Sequence, residues 1–261
     1  MSVQVLVAAM HRTDHSILEE MNISSNAIVV NQCDRNSFEK FKYRGQEILF
    51  LSYNERGVGL SRNNALMRAS DDICVFADED MIYVDGYTEL IENEFKKNPK
   101  ADIILFSLES LNKEKPLSVI KESKRVGRKE AMRYGCARIA FKRERLIDKN
   151  IWFSLLFGGG TKYSSGEDTI FLQDCLKKGL RVYKSTVKIA DVKQEESTWF
   201  EGYTEKLFFD KGVLLATVMP NLANLYALGL SYKYAQNKSV KMSFWNIWSA
   251  MKKGINVKKN N

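Results

Sequence analysis

The stretch Ile73-Cys74-Val75-Phe76-Ala77-Asp78-Glu79-Asp80 decides how the rest of the chain is interpreted. Residues 73–77 are apolar, as in a short strand buried on both faces, and the run ends in three carboxylates. Acidic residues are uncommon in strands and adjacent like charges repel, so strand stability does not explain them. Two interpretations follow: a solvated acidic turn, or a site for a hard divalent cation such as Mg²⁺ or Mn²⁺.

The composition of the 261-residue chain is that of a globular protein, with 44% hydrophobic and 28% charged residues. Neither a glycine- or proline-rich linker nor an internal repeat divides it, so we expect one large core or two small domains. The N-terminus lacks the pattern of a signal peptide and is predicted to enter the fold as a strand. The four cysteines form no CxxC pair and the only histidines are His11 and His15. A zinc cluster is therefore not expected, and because Cys74 and Cys175 lie in apolar patterns, buried thiols in a reducing cytosol are predicted.

Apolar runs alternate with helical patterns in the first half of the chain, which predicts right-handed βαβ units and an α/β fold with a mostly parallel sheet. Ligands of such sheets bind beyond the carboxyl ends of the strands, where Asp34 and residues 78–80 fall. Residues 109–130 are polar and lysine-rich and are predicted to form a mobile surface excursion. The predicted strands are 3–9, 27–30, 47–51, 73–77, 102–106, 136–141, 180–184 and 187–190, with helices after Thr13-Asp14, from Gly59 to about Ala69, over 86–97, after Asp168 and beyond Ser197.

A second acidic pair, Glu167-Asp168, follows three consecutive glycines at 158–160. Asp168 is interpreted either as a helix N-cap, which contributes about 1 kcal/mol, or as a general base that removes a proton from an acceptor hydroxyl. The glycines form either a plain surface turn or a flexible loop that closes over a substrate. Arg62, near a helix N-terminus, is a solvated residue, a phosphate ligand or a brace for the acidic strand end.

The whole formal net charge of +8 lies in the C-terminal part of the chain, because no acidic side chain follows Asp210. An acid-free basic end predicts an anionic partner. Residues 241–259 are predicted to form a basic amphipathic helix that lies on an anionic membrane surface or packs on the catalytic domain. Its apolar face comprises Phe244, Ile247, Trp248 and Met251, beside Trp245, and the lysines after Asp210 are Lys211, Lys233, Lys238, Lys241, Lys252, Lys253, Lys258 and Lys259.

The order and spacing of these motifs, over roughly residues 1–200, resemble family 2 glycosyltransferases with the GT-A fold. The motifs are Asp34 after the second strand, Gly59-Leu60-Ser61-Arg62-Asn63, Asp78-Glu79-Asp80 and Gly166-Glu167-Asp168. The resemblance implies a GT-A (Rossmann-like) catalytic domain over residues 1–196, with a nucleotide-sugar half over about 1–107 and an acceptor half over about 108–196. A helical C-terminal extension over 197–261 follows, ending in the basic tail.

The activity that the resemblance implies is an inverting hexosyl transfer of the bacterial surface-polysaccharide type. The donor would be a nucleotide-diphosphate sugar, UDP-sugar foremost, and the acceptor a saccharide or a lipid-linked saccharide. Mn²⁺ or Mg²⁺ would assist, and the enzyme would be cytoplasmic or peripheral on the inner face of the cytoplasmic membrane. No nucleic-acid partner is expected.

The resemblance also gives each motif a role, with Asp168 as the general base and Glu167 beside it near the acceptor. It assigns Ala9, His11, Asp34, Arg62 and Asp78 to nucleotide binding, Asp78 and Asp80 to the metal, and Gly158, Gly159 and Gly160 to a donor or acceptor loop. The sequence departs from the family at two places. Asn31-Gln32-Cys33-Asp34 replaces the usual two acids with a glycine-serine turn, which leaves the base preference open. No histidine precedes Glu196-Ser197-Thr198, which leaves a third metal ligand open and makes Lys193 a candidate contact of the diphosphate.

Three other functions fit parts of the sequence. A nucleotidyltransferase also needs a nucleotide and a metal on a parallel sheet, but its glycine-rich loop is missing after the first strand, where Ala8-Ala9-Met10-His11-Arg12 stands. A basic nucleic-acid binder would carry its charge on a face, and here the charge sits in one tail. A degenerate transferase would bind the donor without turnover.

Overall fold

The computed structural model describes residues 1–194 and 202–259, and its strands and helices alternate through the first half as predicted. The strands are β1 (Val3–Met10), β2 (Asn26–Gln32), β3 (Ser37–Tyr43), β4 (Gln46–Tyr53), β5 (Ile73–Asp78), β6 (Met81–Tyr83), β7 (Ile103–Ser110), β8 (Lys124–Arg125), β9 (Ile139–Lys142) and β10 (Val182–Val192). The helices are α1 (Ile17–Glu20), α2 (Val58–Arg68), α3 (Tyr87–Lys97), α4 (Arg128–Ala131), α5 (Arg143–Asp148), α6 (Glu167–Lys177), α7 (Glu205–Val218), α8 (Ala223–Ala235) and α9 (Phe244–Lys259), with a 3₁₀ turn at Cys136–Arg138.

The strands form one sheet in the order β3-β4-β2-β1-β5-β9-β7-β10-β6, and β8 also pairs with β10. The four central neighbours β4, β2, β1 and β5 are parallel, as are β7 and β10, whereas β9 runs antiparallel between β5 and β7. This arrangement confirms the predicted α/β architecture.

Helices cover both faces of the sheet because its central strands are apolar on both sides. Val5 and Val7 of β1 belong to one core with α1 and α3, whereas Leu6 belongs to the other with α2, α5 and α6. In the second core the ring of Phe76 lies 4.7–5.6 Å from those of Phe141, Phe153 and Phe171. All four cysteines are buried and unpaired.

Several elements differ from the sequence-based predictions. β3 was not predicted; it pairs antiparallel with β4 through a turn in which Arg44 and Gly45 both have positive φ, as tight hairpins require. β6 was not predicted either, and β10 is one irregular strand where two were expected. The predicted mobile excursion is anchored, since Ile120 and Val126 are buried and β8 and α4 lie within or next to it.

The C-terminal helices α7 and α9 pack closely on each other. A Cβ added at Gly212 would collide with the carbonyl oxygen of Met251, and one added at Gly254 would collide with that of Phe209. Ile247 and Met251 are fully buried in this helical cluster. The prediction that they face a membrane is therefore wrong, and the alternative of a helix packed on the protein holds for this face.

The predicted domain boundary at 196/197 lies outside the described residues, and its position stays a prediction. α7 packs on the preceding domain through a small cluster that includes Phe157, Tyr163 and Ile170 with Val213 and Val218. Within residues 1–194 and 202–259, no helix has the length and hydropathy needed to span a bilayer.

Candidate functional site

The carboxyl ends of β1, β2, β4 and β5 lie at one edge of the sheet, because these strands are parallel neighbours. Ala8 of β1 lies in register with Asp78 of β5. The segments that leave the strands at this edge carry His11, Asp34 and Asp80. The structure thus brings the residues predicted to bind nucleotide and metal to the same edge.

Arg62 joins the two acidic motifs. Its guanidinium is almost completely buried, with 4% of the side chain exposed. Nη2 donates to Oδ1 of Asp78 at 2.8 Å, and Nη1 donates to Oε1 of Glu167 at 3.1 Å and to Oδ1 of Asp168 at 3.0 Å. Of the roles that the sequence allowed for Arg62, these contacts are those of the brace, since both terminal nitrogens are held by carboxylates.

The remaining donor of Arg62, Nε, is buried and has no hydrogen-bond partner among the described residues. The guanidinium carbon lies 5.4 Å from the ring centre of Phe153, a distance typical of a cation–π contact. Three acids therefore share one arginine, and the cluster keeps a net negative charge.

Asp168 is the second residue of α6. The N-cap of this helix is Gly166, with φ +117°, so the N-cap interpretation of Asp168 is wrong. Burial raises the pKa of Asp168 to about 7, and the negative charge of Glu167 adds to the rise, whereas Arg62 opposes it. Since 26% of the side chain remains exposed, a substrate hydroxyl can approach. A carboxylate that accepts a proton near neutral pH is suited to general-base chemistry.

The carboxylates of Asp78 and Glu79 have different partners. Glu79 accepts a hydrogen bond from Nε of Arg12 at 2.9 Å, on a different arginine from Asp78. Asp80 is half-buried; burial, followed by the negative charge of Asp78, raises the pKa of Asp80 to about 6. The backbone N–H of Lys193 donates to the carbonyl oxygen of Asp80 at 2.9 Å and fixes the turn.

Asp78 and Asp80 suit a hard divalent cation. Both offer carboxylate oxygens, which Mg²⁺ and Mn²⁺ prefer, and the repulsion between the two acids is what a cation would relieve. In the described parts of the chain no group of three His, Cys, Asp or Glu side chains is arranged to hold a metal. A cation held by these two aspartates would therefore share its shell with substrate oxygens and water.

The predicted glycine loop is packed between the starts of α2 and α6. Gly158 and Gly159 are buried, and the carbonyl of Gly159 accepts from the N–H of Val58 at 3.2 Å. Gly158 has φ +108°, and an added Cβ would lie 2.8 Å from Val58 and 2.9 Å from Glu167. This position therefore requires glycine twice over, for its backbone angle and for its space. The interpretation of the glycines as a plain surface turn is therefore wrong for Gly158, which is buried.

The residues assigned to the nucleoside lie around the end of β2. The Asp34 side chain is 86% exposed and accepts from Arg56 at 2.9 Å. His11 has φ +55° and donates its N–H to the carbonyl of Gln32 at 2.9 Å. Ala9 is buried in the core, so it can present only its backbone to a ligand. Their contacts with a nucleotide stay predictions.

Two positioning residues escaped the sequence reasoning. Oε1 of Gln32 accepts from the N–H of Gly57 at 2.7 Å and so fixes the turn that begins α2. Asp210, on α7, accepts from both the N–H and Oγ of Ser164 at 2.9 Å, which ties the C-terminal helices to the loop before Asp168. For Asp210 the sequence did carry a signal: it is the last acidic residue of the chain and lies within an apolar helical run, where a carboxylate needs a partner.

No protein-family profile and no curated protein matches the sequence. Solved structures do match. The crystal structure of S. aureus TarS 1–349 in complex with UDP-GlcNAc has a TM-score of 0.66 at 17% identity, covering 98% of this chain and 82% of that one. A second crystal structure of S. aureus TarS 1–349 has a TM-score of 0.63 at 14% identity, covering 99% of this chain and 83% of that one. A further TarS structure scores 0.62 at 14% identity, and there the chain spans 50% of the other protein.

The matches extend over nearly the whole chain, although the identities are too low to carry an activity from one protein to the other. They concern the arrangement of strands and helices that places the acidic run, the arginine and the start of α6 at one edge. The chain therefore has the GT-A fold that its motifs predicted.

Proposed function

We propose that this protein transfers a sugar from a UDP-sugar to an acceptor hydroxyl, with inversion at the anomeric carbon. The observation that carries the proposal is the guanidinium of Arg62, which holds Asp78 at the nucleotide edge and Asp168 at the start of α6 in one cluster. A donor bound at the strand ends would place its sugar next to a carboxylate with a pKa raised to about 7. The similarity to the TarS structure in complex with UDP-GlcNAc supports the choice of donor.

In this proposal Asp168 accepts the proton of the acceptor hydroxyl while that oxygen bonds to the anomeric carbon. The bond between the anomeric carbon and the diphosphate oxygen breaks, and UDP leaves with the electron pair. Attack from the face opposite to the leaving group inverts the configuration. Glu167 contributes its charge, which raises the proton affinity of Asp168, and Arg62 keeps the carboxylate oriented.

Asp78 and Asp80 would hold Mn²⁺ or Mg²⁺, with Asp78 also near the ribose. Such a cation, when bound, neutralises charge on the diphosphate. Lys193, whose backbone fixes the turn at Asp80, would bring its ammonium group to the same phosphates. Asp34, His11 and the backbone at Ala9 would line the nucleoside.

The proposed acceptor is a saccharide, free or carried on a lipid. Leu155 and Leu156, which precede the glycine loop, are 56% and 54% exposed. They offer an exposed apolar surface, next to the glycine loop in the sequence, on which a sugar ring or its carrier could rest.

Binding is tested by a thermal-shift screen of UDP-, GDP-, CMP- and dTDP-sugars, each with and without Mn²⁺. A ligand that binds only the folded state raises its apparent stability, by about 2.7 kcal/mol at a concentration of a hundred times Kd. We expect a Mn²⁺-dependent shift with UDP-sugars that Asp80→Asn removes. The matched control is Asp148→Asn, which changes an exposed carboxylate at the end of α5.

Transfer is tested by product analysis with the donor that the screen selects. Release of UDP together with a glycosylated acceptor, in which the anomeric carbon of the transferred sugar has the inverted configuration, supports the proposal. Release of pyrophosphate from a nucleoside triphosphate and a sugar phosphate would assign the site to a nucleotidyltransferase instead. A UDP-sugar shift without transfer to any acceptor would indicate a donor-binding protein.

A further inference from the structure

α8 reverses the usual arrangement of an amphipathic helix. The residues that it buries are small: Ala223, Ala227 and Ser231 are all fully buried. Ser231 donates to the carbonyl of Ala227 at 2.7 Å and lies 3.7 Å from the Sδ of Met251 on α9. The large apolar side chains point outward instead, with exposed fractions of 43% for Leu222, 65% for Leu225, 44% for Leu228 and 64% for Tyr232.

Leu222 is the N-cap of α8, and the four outward residues follow one another at spacings of three, three and four, so they share one face of the helix. We call them the outer face of α8. Single exposed leucines are ordinary on a protein surface, but a continuous apolar face marks a site of interaction.

The charges around this face are of one sign. Lys233 follows Tyr232 directly, and Lys238 and Lys241 lie in the connection to α9; all three are exposed. Their ammonium groups have no hydrogen bond or ion pair with any described residue. No acidic side chain follows Asp210, so nothing nearby in the sequence neutralises them. Trp245, at the start of α9, is 68% exposed.

We propose that the outer face of α8, with Lys233, Lys238 and Lys241, binds the surface of an anionic lipid bilayer. Leucine and tyrosine side chains would enter the boundary between headgroups and acyl chains, and the lysines would contact the headgroup phosphates. The exposed Trp245 suits the same interface. This proposal is independent of the transfer reaction, which it neither requires nor explains.

Other occupants fit the surface less well. A second copy of the chain, packed about a two-fold axis, would bring the same lysines of both copies together, and like charges across an interface oppose association. A nucleic acid would pair with the lysines but would leave the leucines without an apolar partner.

The test is co-sedimentation of the full chain with phosphatidylcholine vesicles, with and without phosphatidylglycerol. We expect binding only to the anionic vesicles, weakening as salt is added. Leu225→Gln with Leu228→Gln should lower the partition coefficient at least about tenfold, since each leucine loses its apolar burial. Replacing Lys233, Lys238 and Lys241 by glutamine should lower it about fivefold for each lysine.

The matched control is Leu111→Gln with Val119→Gln, which changes two side chains that are 54% and 65% exposed in the segment after β7. This control should bind vesicles like the parent chain. Because every altered side chain is exposed, all variants should unfold at nearly the parent temperature, and the leucine and lysine sets give independent readouts.

Three results would overturn the proposal. The first is equal binding to neutral and anionic vesicles, and the second is equal loss in the control. The third is a mass, measured by light scattering, that falls from dimer to monomer in the leucine variant, which would assign the outer face of α8 to a second copy.

Discussion

Nη1 of Arg62 and Oδ1 of Asp168 lie 3.0 Å apart, although 106 residues separate them in the sequence. The contact forms because α2 and α6 both begin at the carboxyl edge of the sheet and the glycine loop packs between them. The other terminal nitrogen of the same guanidinium holds Asp78. The orientation of the proposed base and that of the acidic strand end therefore depend on one side chain.

Replacing Asp168 by asparagine should abolish transfer while the donor still binds. Asparagine keeps the shape of the side chain but cannot accept the proton, and general-base catalysis contributes typically about 10²–10⁴-fold in rate. Turnover measured with saturating donor, together with the donor's thermal shift, checks this. Asp174→Asn, at a partly exposed position of the same helix, is the control. Near-normal turnover in Asp168→Asn would remove Asp168 from the role of base.

The pH dependence of the reaction should report the raised pKa of Asp168. Burial and the charge of Glu167 raise this pKa from 3.8 to about 7, so below that pH the carboxyl group is protonated and cannot act as a base. We expect kcat/KM to increase with pH up to about 7 and then to level off. A profile that is flat from pH 5 to 8 would contradict this prediction.

The same pKa has a consequence for stability. Because the folded-state pKa lies above the ordinary value, the protonated folded form is favoured, and this contribution to stability is lost as pH increases from about 4 through about 7. Asp168→Asn has no such proton. Its free energy of unfolding relative to the parent chain should therefore increase over this range, as measured by urea unfolding at several pH values.

We expect that lysine cannot take over the role of Arg62. Its single ammonium group cannot bond Asp78, Glu167 and Asp168 in the fixed geometry of a guanidinium, and the unpaired acids would remain partly buried. We expect Arg62→Lys to lose about 2–4 kcal/mol of unfolding free energy, less than full removal of a buried partner, and most of its turnover. Arg68→Lys, on an exposed position of the same helix, should change stability by less than about 0.5 kcal/mol. Equal stability of the two variants would contradict the role of Arg62 as a brace for the three acids.

Alanine at Gly158 should displace Glu167. The new Cβ would lie 2.9 Å from Cδ of that residue, at a backbone angle that alanine rarely adopts. Gly179→Ala separates the two effects, since Gly179 also has positive φ (+84°) but nothing lies within 4 Å of its Cβ position. Both variants should lose stability, and only Gly158→Ala should also lose turnover and shift the pH profile. If both variants lost activity equally, backbone strain alone would explain why glycine is required at position 158.

The sequence predicted the features that depend on local pattern. The apolar run before Asp78 and the helical period of α3 are properties of neighbouring residues, and both elements lie where they were expected. β3 escaped because its lysines and glutamate hide the strand alternation, and the Arg44-Gly45 turn was its only signal. The contact of Arg62 with Asp168 could not be predicted, because it depends on how distant elements pack.

The C-terminal helix α9 illustrates a different limit of prediction from sequence. The periodicity of Phe244, Ile247 and Met251 predicts an apolar face correctly, but it is the same for a helix that faces lipid and one that faces protein. The structure buries Ile247 and Met251 in the helical cluster. Only the packed structure reveals that α8, whose apolar residues are spread around the helix, carries the exposed face.

The close approaches of α9 at Gly212 and of α7 at Gly254 give the end of the chain a part in positioning the proposed base. At these two glycines the backbones of α7 and α9 approach closely, so α9 supports the middle of α7. α7 in turn holds Ser164 through Asp210, a few residues before the proposed base. A shortened chain that stops before α9 would leave α7 unsupported and free the segment that leads into α6. The smallest unit able to turn over substrate would therefore include the C-terminal helices, of which α7 packs directly against Gly166 at the start of α6.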